Sequence, residues 1–220
     1  MSNDTGKGAG IYSPLVLKLY DWWVLGISNH YAWECPTRDV LLPFFRLHSG
    51  RHHLDVGVGT GYYFSKADLP ASALVTLMDL NLSSLQAAQR RLNRPSTKVI
   101  QHDVMTPPPS GMEATFDAIS LFYLLHCLPG TMDEKAAVFA HLKPLLRPSG
   151  VLYGATILGD EVGHNRMGRK LMDVYNRKGI FGNRHDTRNG LERALQEHFA
   201  EVTIRVEGKV ALFEARWPML

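Results

Sequence analysis

Cysteine is scarce: only Cys35 and Cys127 occur among 220 residues. Both sit in hydrophobic surroundings, so no disulfide framework is implied, and a reducing compartment, the cytosol, is expected. No apolar run approaches the roughly 18 residues needed to span a membrane. The first ten residues, MSNDTGKGAG, lack the charged-then-apolar order of a secretory leader. They read as a disordered tail. No block of Lys or Arg exceeds two, and the formal net charge is only +3. An electrostatic footprint for nucleic acid is therefore missing. Neither nucleic acid nor a membrane is expected as a partner, and the chain is expected to be a monomer or homodimer. There is no internal repeat.

What is present is an alternation of apolar runs and helical patterns. Residues 14–28 carry apolar side chains at helical spacing behind Pro14. A second helix is expected after Pro36, with Thr37 as its N-cap, Gly50 at its end and a kink at Pro43. Strands are expected at HHLDVGVG, at 73–81, at TKVIQHDV, at 116–125 and at VLYGATIL. Helices follow the first, second and fourth, with the loop PPPSG after the third. The second helix is capped by Asn81 or a nearby serine, with Leu82, Leu85 and Leu92 on one face. Another is capped around Thr131–Asp133 and stopped by RPSG. One or two helices are expected within 162–198. The end, EVTIRVEGKVALFEARW, reads as two strands joined at Glu207–Gly208. Such alternation predicts an α/β fold: a Rossmann-like, doubly wound, seven-stranded sheet, mostly parallel with an antiparallel last strand. An N-terminal helical segment, 11–50, precedes the main domain, 51–220.

The stretch LDVGVGTGYYF places Gly57, Gly59 and Gly61 directly behind a strand and Asp55. Glycines there permit unusual dihedrals and let a ligand lie against bare backbone. A tight turn without a ligand would need only one of them. The dinucleotide fingerprint is G-x-G-x-x-G, whereas this loop is G-x-G-x-G, so its spacing does not favour NAD. No G-K-S/T follows, which excludes a P-loop nucleotidase.

The stretch resembles the first motif of class I S-adenosylmethionine-dependent methyltransferases. The resemblance runs from 52 to 217 through LDVGVGTG, LMDLN, IQHDV, FDAISLFYLLHCLPG and LKPLLRPSGVLYGATIL. Its fifth motif departs mildly, with Pro148-Ser149-Gly150 where Pro-Gly-Gly is usual. The resemblance implies S-adenosylmethionine as cofactor. Gly57, Gly59, Thr60 and Gly61 would leave room for its amino-acid part and sugar. Asp79 would accept from both ribose hydroxyls, Asp103 would hold the adenine amino group, and Leu80 and Val104 would sandwich the ring. Asp55 would steady the loop and, through water, the ammonium. Tyr20 and Phe122 complete the expected cofactor contacts. Helix capping is the rival reading of Asp79 and Asp103, with the binding role preferred for both.

Methyl transfer from a sulfonium needs proximity, alignment and exclusion of water more than it needs a catalytic set. The N/D-P-P-Y tetrapeptide of nucleic-acid and glutamine N-methylation is missing after the fourth strand. Asp160, Glu161 and His164 could suggest a metal, but no acid follows strand four. A solvated helix start is the better reading of the three, and no metal is expected. His126, at the carboxyl edge of the sheet, is the candidate base, with a structural histidine as the alternative. Cys127 reads as a small apolar residue. Segment 11–50 would act as a lid carrying substrate contacts at Trp22, Tyr31 and Trp33. Tyr123 and the insertion at 162–186, through Met167 and Tyr175, would form the opposite wall. The expectation is a methyltransferase acting on a small, partly apolar molecule of the specialised-metabolite kind, at oxygen or nitrogen. The rivals are C- or S-methylation, cofactor binding without transfer (a pericyclic-type catalyst or a regulatory binder), and an NAD-dependent reductase.

Overall fold

The computed structural model describes residues 21–219, with side chains from residue 25 onward. The expected disordered tail, the helix start at Pro14 and Tyr20 lie outside the described residues, as do the side chains of Trp22 and Trp23. Seven strands form one sheet: β1 (His52–Val56), β2 (Leu74–Asp79), β3 (Lys98–Gln101), β4 (Phe116–Phe122), β5 (Leu146–Ile157), β6 (Phe199–Glu207) and β7 (Val210–Pro218). Their order is β3-β2-β1-β4-β5-β7-β6. β7 alone runs against its neighbours, because a two-residue turn returns β6 directly onto it. The doubly wound fold expected from the sequence is present.

The helices are α1 (Asp21–Ala32), α2 (Leu42–His48), α3 (Tyr62–Ser65), α4 (Leu82–Leu92), α5 (Met132–Leu142), α6 (Arg166–Arg177) and α7 (Arg188–Gln196). α1 is wound with the wider π-type pitch, as is the turn Thr37–Leu41 that leads into α2. Thr37 does not cap. Its hydroxyl donates to the Leu25 carbonyl at 2.6 Å and accepts from Asn29 Nδ2 at 2.8 Å, latching this turn to α1. Pro43 falls in the first turn of α2, where its missing N–H costs nothing. Asn81 caps α4 as expected, accepting from the amides of Ser83 and Ser84. Leu82 is exposed rather than on the buried face with Leu85. α5 opens with a full capping box between Thr131 and Glu134. β5 starts five residues before the expected VLYGATIL, because a bulge opposite Phe116 and Ala118 absorbs Pro148-Ser149-Gly150.

Alternation along the strands splits the core into two layers. Leu54, Val56, Ile119, Leu121 and Leu152 pack with Phe139 of α5 and Leu191 and Leu195 of α7. Leu77, Phe122, Tyr153 and Leu212 pack on the other face with Phe45 of α2 and Leu85 and Ala88 of α4. The β6–β7 turn reaches back to the N-terminal segment. The Lys209 amide donates to the Trp33 carbonyl at 2.8 Å, and Lys209 Nζ pairs with Glu34 at 3.1 Å. A Cβ at Gly208 would meet that same Trp33 carbonyl.

Candidate functional site

The strand order reverses between β1 and β4, which opens a crevice beyond their carboxyl ends. The cavity found there is lined by the loop 55–60 behind β1, by 79–81 behind β2, by 102–104 behind β3 and by 122–124 behind β4. Tyr62 and Tyr63 of α3, Ser84 of α4, Leu25 of α1, Cys127 to Pro129 and Ile180 complete its wall.

The glycine loop shows why a bare backbone stands here. Gly59 has φ +52°, and a Cβ on it would meet nothing within 4 Å, so its missing side chain leaves open space at the cavity. Gly61 has φ +70°, and a Cβ there would lie 2.9 Å from Ala88 Cα. It lets α4 approach the loop and does not border the cavity. Thr60 is fixed by Arg91, whose Nη1 donates to its hydroxyl at 2.7 Å and its carbonyl at 3.1 Å.

Three carboxylates border the cavity. Asp55 is buried, and Ser120 Oγ donates to its Oδ1 at 2.5 Å. Burial pushes its carboxyl up to about 7, against the pull of the Ser120 hydrogen bond, and nearby Asp79 adds to the rise. Asp79 Oδ1 accepts the Asn81 amide at 2.8 Å. Burial raises Asp79 to about 6, opposed by amides of Asn81, Gly59, Val58 and Leu80. Asp103 Oδ1 accepts the Met105 amide at 3.0 Å, bracing a turn with no helix behind it to cap, and the residue borders the cavity. Leu80, Val104 and Phe122 supply apolar wall beside them. Ionised carboxylates only accept hydrogen bonds. This donor-hungry set suits a ligand with a cation, hydroxyls and an exocyclic amine, and it repels a pyrophosphate. The residues therefore fit S-adenosylmethionine and disfavour a dinucleotide.

Several expected residues stand elsewhere. His126 is buried in the turn Leu125–Cys127 and does not border the cavity. Its Nδ1 accepts the Ile157 amide at 3.3 Å, and its ring meets Phe181 and Tyr123 edge-on. Burial, with Lys135 nearby, pushes it down to about 3. A ring that cannot hold a proton and whose Nδ1 lone pair is already engaged is a poor base. Trp33 is a core residue against His164 and Phe181. Tyr31 is 62% exposed, stacked edge-on with His30. Met167 packs on the core, and Tyr175 on Phe181. His164 is not at a solvated helix start. It is buried, with Nε2 hydrogen-bonded to the carbonyls of Leu158 and Gly159. Among the described residues no group of three His, Cys, Asp or Glu side chains could hold a metal.

Tyr123 does border the cavity, in the left-handed backbone region at φ +60°. Cys127 lies at the same wall, its thiol pushed up to about 12 by burial and so kept protonated. Ile180 had no sequence signal. It is delivered by its neighbour Gly182, whose amide donates to the His126 carbonyl at 2.9 Å. A Cβ at Gly182 would lie 2.5 Å from the Leu128 carbonyl, so the loop can press this close only with glycine there. The buried Lys135 holds the loop, donating to the Gly182 carbonyl at 2.9 Å and pairing with Asp186 at 2.6 Å.

Comparison with known proteins points the same way. Residues 54–154 match the family described as "Methyltransferase domain". The chain is 41% identical to the physcion biosynthesis cluster O-methyltransferase of Aspergillus chevalieri, covering 98% of this chain and 97% of that one. It is 40% identical to the N-methyltransferase vrtF of Penicillium aethiopicum, over 86% of this chain and 79% of that one. Among solved structures, the N-methyltransferase NodS from Bradyrhizobium japonicum, in complex with S-adenosylhomocysteine, superposes with a TM-score of 0.62. That match covers 93% of this chain and 98% of NodS at 18% identity, a likeness of fold. No helix among the described residues is long and apolar enough to cross a membrane.

Proposed function

This chain belongs to the class I S-adenosylmethionine-dependent methyltransferase family, and on that premise we propose that it methylates a small, partly apolar specialised metabolite. The observation that carries this reading is the apolar share of the cavity wall beside the three carboxylates. Leu25, Tyr123, Leu124, Leu128, Pro129 and Ile180 form it, with no charged side chain among them. Such a wall suits a neutral, flat, largely apolar acceptor. Oxygen is the favoured accepting atom and nitrogen the second reading, because the O-methyltransferase name recurs among relatives at 38–41% identity and the N-methyltransferase name stands at 40%.

Asp79 would receive the ribose hydroxyls, Asp103 the adenine amine, and Leu80 and Val104 the faces of the ring. Asp55 and the loop Gly57–Thr60 would hold the amino-acid end. Bound S-adenosylmethionine supplies an electrophilic methyl group on a sulfonium. The protein's share is alignment and exclusion of water. The described part of the N-terminal segment, 21–50, would serve as the lid, since α1 contributes Leu25 to the wall and Thr37 latches the turn before α2 to α1. With Cys127 held protonated and His126 outside the cavity, a hydroxyl acidified by its own ring fits best. The test is incubation with S-adenosylmethionine and a panel of phenols, aryl amines and carbon acids. S-Adenosylhomocysteine release with a singly methylated phenol is expected. Cofactor binding with no turnover on any member, and transfer only to charged amines, would each overturn the reading.

A further inference from the structure

A row of polar side chains crosses the sheet beneath α2. The strand registers place Asp55 beside Ser120, Ser120 beside Tyr153, and Tyr153 beside Glu214. All four stand on one face of four adjacent strands. Ser120 and Tyr153 are fully buried, and so is His53, two residues before Asp55 on the same face. The His53 ring is walled by aromatics: Phe45 stacks on it at 5.6 Å, and Phe64 and Tyr153 meet it at 4.6 and 5.7 Å. An imidazole in such a cage is costly unless its nitrogens are used.

Both are used, and in one direction. The Gly50 amide donates to His53 Nδ1 at 3.4 Å, so Nδ1 carries no proton and Nε2 does. Nε2 lies 3.1 Å from Ser120 Oγ and 3.4 Å from the Tyr153 hydroxyl. The Tyr153 hydroxyl spends its own hydrogen on the Phe45 carbonyl of α2. Ser120 therefore accepts from His53, which leaves its hydrogen for Asp55 Oδ1 at 2.5 Å. Amide, imidazole, hydroxyl and carboxylate form a chain with a single consistent polarity, which strengthens each link.

We propose that His53 and Ser120 are positioning residues, whose hydrogen-bond chain fixes the orientation and favours the ionised form of Asp55 at the cationic end of the cofactor. This rests on the reading that Asp55 serves the cofactor. A buried carboxylate without a donor protonates readily and then offers nothing to a cation. The titratable groups facing Asp55 are Asp79 of β2, His53 of β1 and Tyr153 of β5. Burial keeps His53 neutral, pushed down to about 3, and holds the Tyr153 phenol well above its ordinary value. Only Asp79 ionises in the same range as Asp55.

The experiment is calorimetric titration of the full chain with S-adenosylhomocysteine across the neutral pH range. Asp55→Asn, Ser120→Ala, Ser120→Thr, His53→Phe and His53→Gln are compared. Asp55→Asn should weaken binding, and if it does not, the assignment of Asp55 to the cofactor fails. Given that loss, Ser120→Ala should weaken binding about tenfold and move its pH midpoint upward. Ser120→Thr, which keeps the hydroxyl, should restore both. His53→Phe should shift the midpoint the same way and His53→Gln less. Equal midpoints for Ser120→Ala and the parent chain, or a threonine variant as weak as the alanine one, would overturn the chain. If His53→Phe does not fold, the serine pair decides alone.

Discussion

The two ends of the cavity are built by opposite means. The cofactor end is made of strand-end carboxylates and bare backbone, contributed by consecutive β–α corners. The part proposed for the acceptor is made of apolar side chains from three segments far apart in the chain: Leu25, the turn 124–129 and Ile180. A polar end built on rigid strands fixes a ligand of constant chemistry. An apolar end built on loops can be recut without disturbing the first. Relatives of about equal identity carry O- and N-methyltransferase names.

The contrast can be broken at its supports. Lys135→Met leaves Asp186 buried with no cation, which should cost about 3–5 kcal/mol of stability. A thermal melt with and without S-adenosylhomocysteine checks it. Any folded remainder should bind that ligand normally while the loop holding Ile180 is loosened. Next in size, Asp79→Ala should weaken S-adenosylhomocysteine binding by about 2 kcal/mol or more, read by calorimetry, with acceptor selectivity unchanged. Unchanged affinity would remove Asp79 from the ribose site. Smallest, Ile180→Ala should raise the acceptor KM by about 1 kcal/mol equivalent and leave cofactor affinity alone, read from steady-state kinetics. An equal loss at both ends would mean that the two are not separable.

The pH response follows from the raised carboxyls. Folded Asp55 and Asp79 titrate near 7 and 6, above their unfolded values, so the folded chain binds more protons in between. Their burial therefore stabilises the free protein least above those values. The ammonium at Asp55 and the two donating ribose hydroxyls at Asp79 would each be met best by an ionised carboxylate, so the Tm gain from S-adenosylhomocysteine should grow from mildly acidic to mildly alkaline pH. A pH-independent gain would show that neither carboxylate changes charge on binding.

The sequence displayed the first end far better than the second. Asp55, Asp79 and Asp103 each close an apolar run, and strand order alone carries such positions to one edge. Gly61 was placed in the right loop but with the wrong neighbour, because a glycine that admits a helix looks like one that admits a ligand. Trp33 and His126 were misjudged for a related reason. Residue type shows that an aromatic wants cover, but not which side of a turn provides it. Ile180 was invisible, since its place depends on one backbone hydrogen bond and a glycine pressed on a carbonyl.

The clasp between the β6–β7 turn and the N-terminal segment sets a rule for chain exchange. Lys209 and Gly208 fit the carbonyl of Trp33 and the carboxylate of Glu34 as a matched pair of surfaces. A hybrid that takes its opening segment from a relative should take that relative's hairpin tip as well. The two stretches, nearly a whole chain apart, should be exchanged as one part.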